Sequence, residues 1–167
     1  MAAAAPATAS ATMLVQTSQN WTLTFTNGEK RYFNSTSGNL VSIVDRNGNT
    51  TQLSYDSINR LVTVTDPASR HLYFSYASGS SYLVTSVTSD FGVSLSYAYD
   101  TQGRLIQVTN PDLSTIAFSY DSNSFISSVT DSQGKILESH TYDSVGRGLS
   151  GSRANGVDAV TVSYGNP

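Results

Sequence analysis

Cysteine is absent from this chain of 167 residues. That excludes a disulfide framework and any thiolate nucleophile or thiolate-bound metal. Charge is scarce, at 13% of residues with a net of −3. A nucleic-acid footprint requires a clustered basic surface, and a polybasic membrane patch requires the same. Neither partner fits. No apolar run approaches the roughly eighteen residues of a spanning helix, so membrane insertion by a helix is not expected. Histidine occurs only at His71 and His140, and neither sits in a triad motif. The abundant serines therefore have no base at a recognisable spacing. The sequence reads as a non-enzyme without a cofactor or a metal.

What is present favours strands and turns. Serine and threonine make up roughly a quarter of the chain, and there are ten tyrosines. The length suffices for one ordinary domain, for which a sizeable core is expected. Residues 1–20, "MAAAAPATASATMLVQTSQN", differ from the remainder. They are small and low in complexity, and they lack the basic region of a complete signal peptide. They read as a flexible leader, a truncated processing segment or an expression scar, with Met13–Val15 able to add a strand.

From residue 21 onward the chain repeats itself. Aromatic anchors fall at Phe33, Tyr55, Tyr76, Tyr99, Tyr120, Tyr142 and Tyr164, in steps of 22, 21, 23, 21, 22 and 22. Aliphatic anchors follow at Leu40, Leu61, Val84, Leu105, Ile126 and Leu149. Alternation precedes each aromatic anchor: Leu72, Phe74 and Tyr76; Val93, Leu95, Tyr97 and Tyr99; Ile116, Phe118 and Tyr120; Val160, Val162 and Tyr164. Period two over five to seven residues or so marks a half-buried strand. A shorter strand starts at each aliphatic anchor. Asn27-Gly28 and Asn47-Gly48 suit tight hairpins with positive φ at both residues, and Asp66-Pro67 and Asn110-Pro111 set turns through proline. The sequence thus predicts about six hairpin units of about 22 residues over 21–167, roughly a dozen strands, and no helix.

The phrase "YDTQGRL" (99–105) concentrates these roles. Tyr99 ends a strand, Asp100 opens the turn, Gly103 supplies the left-handed conformation, Arg104 lies across from Asp100, and Leu105 starts the next strand. Tyr55, Asp56, Asn59, Arg60 and Leu61 repeat the pattern. Tyr142, Asp143, Gly146 and Arg147 repeat it with Gly148 inserted before Leu149, while Tyr120 and Asp121 keep only its opening. Exposed pairs of this kind fix turn geometry more than they add stability.

These motifs resemble the YD repeat of the RHS/YD-repeat family, which includes bacterial RHS effectors, C components of insecticidal toxin complexes, wall-associated proteins and teneurins. The resemblance covers about residues 21–167. It implies tandem antiparallel β-hairpins forming a curved or spiralling single sheet, barrel-like or self-associating. It also implies a bacterial protein, secreted or at the cell surface, whose module is structural rather than catalytic. In toxins such repeats form a shell around a C-terminal payload. This chain shows neither the self-cleavage segment nor a non-repetitive payload. Its ending, "VTVSYGNP", stops where another turn would begin, so the partners expected are other copies or adjoining repeats of a longer chain. Glycans and cell-surface proteins are the further partners that its tyrosine, serine, threonine and asparagine content suits.

Four residues stand out as candidate contacts. Glu138 and His140 fall on the face that is apolar in other repeats, as a proton-handling pair or as a solvated edge. His71 and Tyr73 fall on the opposite face, where Tyr73 is an outward aromatic. "DRNGN" (45–49) spaces Asp45, Asn47 and Asn49 like a calcium loop, but Thr50 and Asp56 occupy the positions where glycine and glutamate belong, so it reads as a hairpin turn. Asn20, Asn34 and Asn49 head glycosylation sequons that this composition produces by chance.

Overall fold

The computed structural model describes residues 11–154 and 156–165. Half of the low-complexity leader, residues 1–10, lies outside the described residues. The chain forms fifteen strands. They are β1 (Ala11–Gln16), β2 (Asn20–Phe25), β3 (Lys30–Asn34), β4 (Leu40–Val44), β5 (Thr50–Tyr55), β6 (Leu61–Thr65), β7 (His71–Tyr76), β8 (Val84–Ser89), β9 (Ser94–Tyr99), β10 (Leu105–Thr109), β11 (Thr115–Tyr120), β12 (Ile126–Asp131), β13 (Ile136–Tyr142), β14 (Gly148–Arg153) and β15 (Val157–Thr161). Among the described residues there is no helix. The fold is all-β, and the strand order is the chain order.

The count exceeds the dozen expected, partly because the stretch read as leader contributes one strand: β1 pairs with β2, with Leu14 opposite Leu23. At the other end β15 stops at Thr161, so Val162 and Tyr164 lie beyond the strand that alternation predicts, although the Val162 amide still donates to the Leu149 carbonyl. Two compact units are distinguished: Met1–Tyr82 with Thr88–Gly92, and Leu83–Val87 with Val93–Pro167. Each is built from the same hairpin.

Tight Asn-Gly hairpins of two residues are not what forms. Asp45 N–H donates to the Asn49 carbonyl and Gly48 N–H to the Asp45 carbonyl, which encloses three residues. Gly48 has φ 87°, and Asn47 is not among the positive-φ residues. The same pair of bonds recurs at Phe25, Asp56, Asp66, Asp100, Asn110, Asp121, Asp131 and Asp143. One left-handed residue closes each loop, and the preceding two form an ordinary right-handed turn that accepts Pro67 and Pro111. Asn59, Ser69, Leu113 and Ser124 adopt φ between 61° and 69° where other loops carry glycine.

A second regularity is a bulge beside five of the aromatic anchors. Tyr55 lies opposite Leu61 and Ser54 opposite Thr63, so Val62 is the extra residue. The bulge puts Leu61 and Val64 on one face with Tyr55 and Leu53, although strict alternation separates positions 61 and 64. Phe33, Tyr99, Tyr120 and Tyr142 show the same shift. In the last case Gly148, not Leu149, faces Tyr142. Gly148 is therefore the anchor and Leu149 the bulged residue, the reverse of the sequence expectation.

The expected core is absent. No described residue is buried; the apolar face is half-exposed throughout. Leu53, Phe74, Tyr97 and Phe118 are partly covered by neighbours within the sheet, while Ser54, Ser75, Ser96 and Ser119 on the other face are exposed. Sequence alternation reports which face is apolar but not whether a second layer covers it.

Glycine demand at the left-handed position is testable at Gly146, where φ is 82° and a Cβ would stand 2.5 Å from the Phe125 ring. Gly134 has φ 76° and nothing within 4 Å. Gly134→Ala is expected to cost about 1–2 kcal/mol, the conformational penalty alone. Gly146→Ala is expected to cost measurably more in urea unfolding. Equal costs would mean that the Phe125 ring moves aside.

Candidate functional site

The most elaborate chemistry in the chain lies where one repeat meets the next. It begins with the aspartate after each tyrosine. Asp56 Oδ1 accepts the amides of Ile58 at 3.0 Å and Arg60 at 2.9 Å, and Oδ2 accepts Arg60 Nε at 2.7 Å. Asp100 does the same with Gln102 and Arg104, and Asp143 with Val145 and Arg147. The backbone amides of Arg60, Arg104 and Arg147 are the main reason these three carboxyls titrate below the usual range; partial burial opposes the shift. Asp66 and Arg70 form the same arrangement at the opposite row of turns, a pair the "YD" phrase does not reveal.

Three of these arginines, those of the "YD" phrases, are presented to the tyrosine of the following repeat. The Arg60 guanidinium lies 4.7 Å from the Tyr76 ring centroid, Arg104 4.5 Å from Tyr120, and Arg147 4.4 Å from Tyr164. Where "YDSNSFI" lacks the arginine, Phe125 takes its place: its ring lies 4.9 Å from that of Tyr142, and its amide still donates to Asp121. The tyrosine then reaches back. Tyr76 OH donates to the Leu61 carbonyl at 2.7 Å, Tyr99 to Val84 at 2.8 Å, and Tyr120 to Leu105 at 2.7 Å. Tyr55 donates to Leu40, Tyr142 to Ile126, and Tyr164 to Gly148. Burial pushes the Tyr55, Tyr76 and Tyr99 phenols above their ordinary value. Arg60 does more, donating to the carbonyls of Gly79 and Ser81 and so pinning the longer loop of "YASGSSYLV".

His71 and Tyr73 come together at a residue that the sequence did not single out. Asp90 Oδ2 accepts the His71 amide at 2.6 Å and lies 3.0 Å from His71 Nδ1, while Oδ1 accepts Tyr73 OH at 2.9 Å. The two rings are stacked, 5.7 Å apart and 12° from parallel. Asp90 is held below the usual carboxylate range by its bonds to His71 and Tyr73, against the effect of burial. Its hydrogen bond pushes Tyr73 up. Only the spacing of 17 to 19 residues, near one repeat, hinted that Asp90 could reach this pair.

Glu138 and His140 are also neighbours: His140 Nε2 lies 3.4 Å from Glu138 Oε2, and Arg153 Nε lies 3.9 Å from Glu138 Oε1. Gly151 stands opposite His140, and a Cβ there would meet His140 Nδ1 at 3.3 Å. Asp158 and Val160 complete a shallow groove with these residues. Both side chains of the pair are partly solvated, which matches the edge reading more closely than a buried proton relay. At "DRNGN", the Asp45 oxygens accept the amides of Asn47 and Asn49 and the Asn49 side chain, so the segment is a turn.

An RHS Repeat family model matches residues 35–71, 83–115 and 99–136, more than half of the chain. The chain belongs to the RHS-repeat family. A search of curated protein sequences returns no match. Among solved structures, the TcdB2–TccC3–Cdc42 complex is similar with a TM-score of 0.53 and 16% identity over 81% of this chain and 8% of that one. The Tc holotoxin pore of Photorhabdus luminescens gives a TM-score of 0.51 at 16% identity, covering 81% of this chain and 8% of that one. TcdB2–TccC3 gives 0.53 at 20% identity, covering 80% and 7%. At such identities the likeness is one of fold, and this RHS chain spans less than a tenth of the length of these three.

Two predictions follow from the RHS joint. Tyr99→Phe removes one hydroxyl from a carbonyl it satisfies and is expected to cost about 0.5–1.5 kcal/mol in urea unfolding. The same change at Tyr82, whose exposed hydroxyl bonds the Ile58 carbonyl, is expected to cost less. The pH dependence has two limbs. The aspartates' lowered values contribute stability that is complete above about pH 3.9 and is lost as pH falls through the folded-state values. The raised tyrosines contribute stability that is complete below about pH 10 and is lost as pH rises through theirs. Melting temperature against pH should therefore form a plateau with both flanks falling, and Asp100→Asn should shallow the acid flank.

Proposed function

We propose that this chain is a non-catalytic structural and interaction module of a secreted or cell-surface RHS-repeat protein, extended through its sheet edges by adjoining repeats or by other copies. The observation that carries this reading is the joint itself. The arginine, tyrosine and aspartate side chains of the YD phrases are consumed by turn clasps and by contacts between successive repeats. The edges support it further. Among the described residues β15 has a neighbour, β14, on one side only, and all of its residues are exposed, with Val157 at 59% and Val160 at 60%. An exposed edge with apolar side chains is a template for pairing with another strand.

A second reading is a shell segment of a polymorphic toxin that encloses a C-terminal payload. It is supported by the likeness to TcdB2–TccC3 structures.

Edge pairing is tested by light scattering and electron microscopy of the purified chain over rising concentration. Assemblies that grow with concentration are expected. Val162 N–H is bonded to Leu149, so by antiparallel alternation the Thr161 amide points away from β14. Thr161→Pro removes that outward donor and is expected to suppress assembly without loss of folded structure. A monomer at every concentration would sink the self-association reading while leaving the module's fold untouched.

A further inference from the structure

We propose that the turn tip Asp112–Leu113 of one copy of this chain docks into a pocket walled by Val64, Leu72 and Phe91 on a second copy. The contact uses neither sheet edge and goes beyond the edge pairing described above.

The pocket lies within the first compact unit and encloses about 330 Å³. Val64 and Leu72 face each other across β6 and β7, and Phe91 projects from the turn between β8 and β9. That turn departs from its sisters. At the position of Phe91 they carry Asn27, Asn47, Ala68, Asp112 and Gln133, so the scaffold requires no large apolar side chain there. Phe91 is nonetheless 77% exposed. At the position of Ser89, the sister residues Asp45, Asp66 and Asp131 each bond two turn amides. Ser89 Oγ is instead shielded from solvent and has no hydrogen-bond partner. The turn is thus shaped by something other than its own capping.

Arg70 gives the pocket a cationic rim. Asp66 holds its Nε and Nη2. In the corresponding arginines Nη1 is put to use: Arg60 donates to the carbonyls of Gly79 and Ser81, and Arg104 to Ser124 Oγ. Among the described residues Arg70 Nη1 has no such acceptor, and its guanidinium covers no ring. The nearby carboxylates are already engaged, Asp66 by its own turn and Asp90 by His71 and Tyr73. The rim therefore offers an open donor edge.

The complementary tip is a departure of the same kind. Leu113 has φ 67° where Gly28, Gly48, Gly92 and Gly134 close the sister turns. A branched aliphatic residue is disfavoured in the left-handed region, and such an outlier marks a site with another use. The side chain is 80% exposed, so it is not seated in its own chain's pocket. Beside it, Asp112 Oδ1 accepts the Ser114 amide and hydroxyl, while Oδ2 has no partner among the described residues. The tip thus sets an aliphatic group next to an open carboxylate oxygen. The pocket sets apolar walls next to an open guanidinium edge. Shape and opposite charge match, and the low net charge of −3 opposes the meeting of two copies only weakly. Tip and pocket are different surfaces, so the contact is heterologous: each copy gives one and receives one. A single anchor makes a small interface, and the association is weak.

The test is sedimentation equilibrium of the full chain carrying Thr161→Pro, which removes edge pairing. Association with a Kd of about 0.1–1 mM is expected. Leu113→Gly should weaken it roughly tenfold or more, as loss of an anchor does, without lowering the unfolding midpoint, because glycine suits the turn. Phe91→Ser should weaken it similarly, and Val145→Ser, at an exposed turn residue elsewhere, should leave it unchanged. Mixing is the decisive measurement. The Leu113→Gly chain keeps its pocket and the Phe91→Ser chain keeps its tip, so together they should form a 1:1 complex that neither forms alone. Circular dichroism checks that each variant is folded; if Phe91→Ser is not, Leu72→Ala replaces it. Absence of association in the Thr161→Pro chain, association undiminished by Leu113→Gly, or no complex on mixing overturns the proposal.

Discussion

The hydrogen bond from each tyrosine hydroxyl to the anchor carbonyl of the preceding repeat is the interaction on which the remaining architecture rests. Without a second layer, no described side chain is buried. The usual source of stability, apolar area removed from water, is therefore only partly available. What remains is the sheet ladder and the contacts that bind each hairpin to the one before. Tyr76 to Leu61, Tyr99 to Val84 and Tyr120 to Leu105 are the same bond made three times. A repeat protein of this kind is held by nearest-neighbour terms, and each term here is a small, directional polar contact.

That bond does not act alone. Its acceptor, the carbonyl of Leu61 or Leu105, follows an arginine whose guanidinium covers the donating ring. The arginine is aimed by an aspartate already bound to two turn amides. Turn, stack and hydroxyl form one chain of constraint running across the repeat boundary. Phe125 shows what the constraint demands: a flat group over the next tyrosine. Charge is one way to meet it, and an aromatic ring is another, provided that the next turn leaves room, as Gly146 does.

Departures from the repeat fall on both faces of the sheet. Glu138 and His140, in place of apolar residues, line a shallow groove on the last described hairpins. His71 and Tyr73 depart on the other face, where Asp90 bonds both side chains.

The sequence by itself determined the period, the strands, the turn positions and the family, because hairpins are local. Alternation in "VSLSYAY", the glycine or asparagine slot at 59, 103 and 146, and the Asp–Arg spacing are all read within seven residues or so. Tertiary structure alone decided three things. It placed Tyr73, His71 and Asp90 together, since contacts 17 to 19 residues apart leave no local signature. It turned the Asp–Arg pair from a turn clasp into a joint between repeats, because the stacking partner lies sixteen or seventeen residues away. And it left the apolar face half-exposed. Periodicity states which side of a strand avoids water, but whether anything covers that side depends on a second layer that no single hairpin encodes.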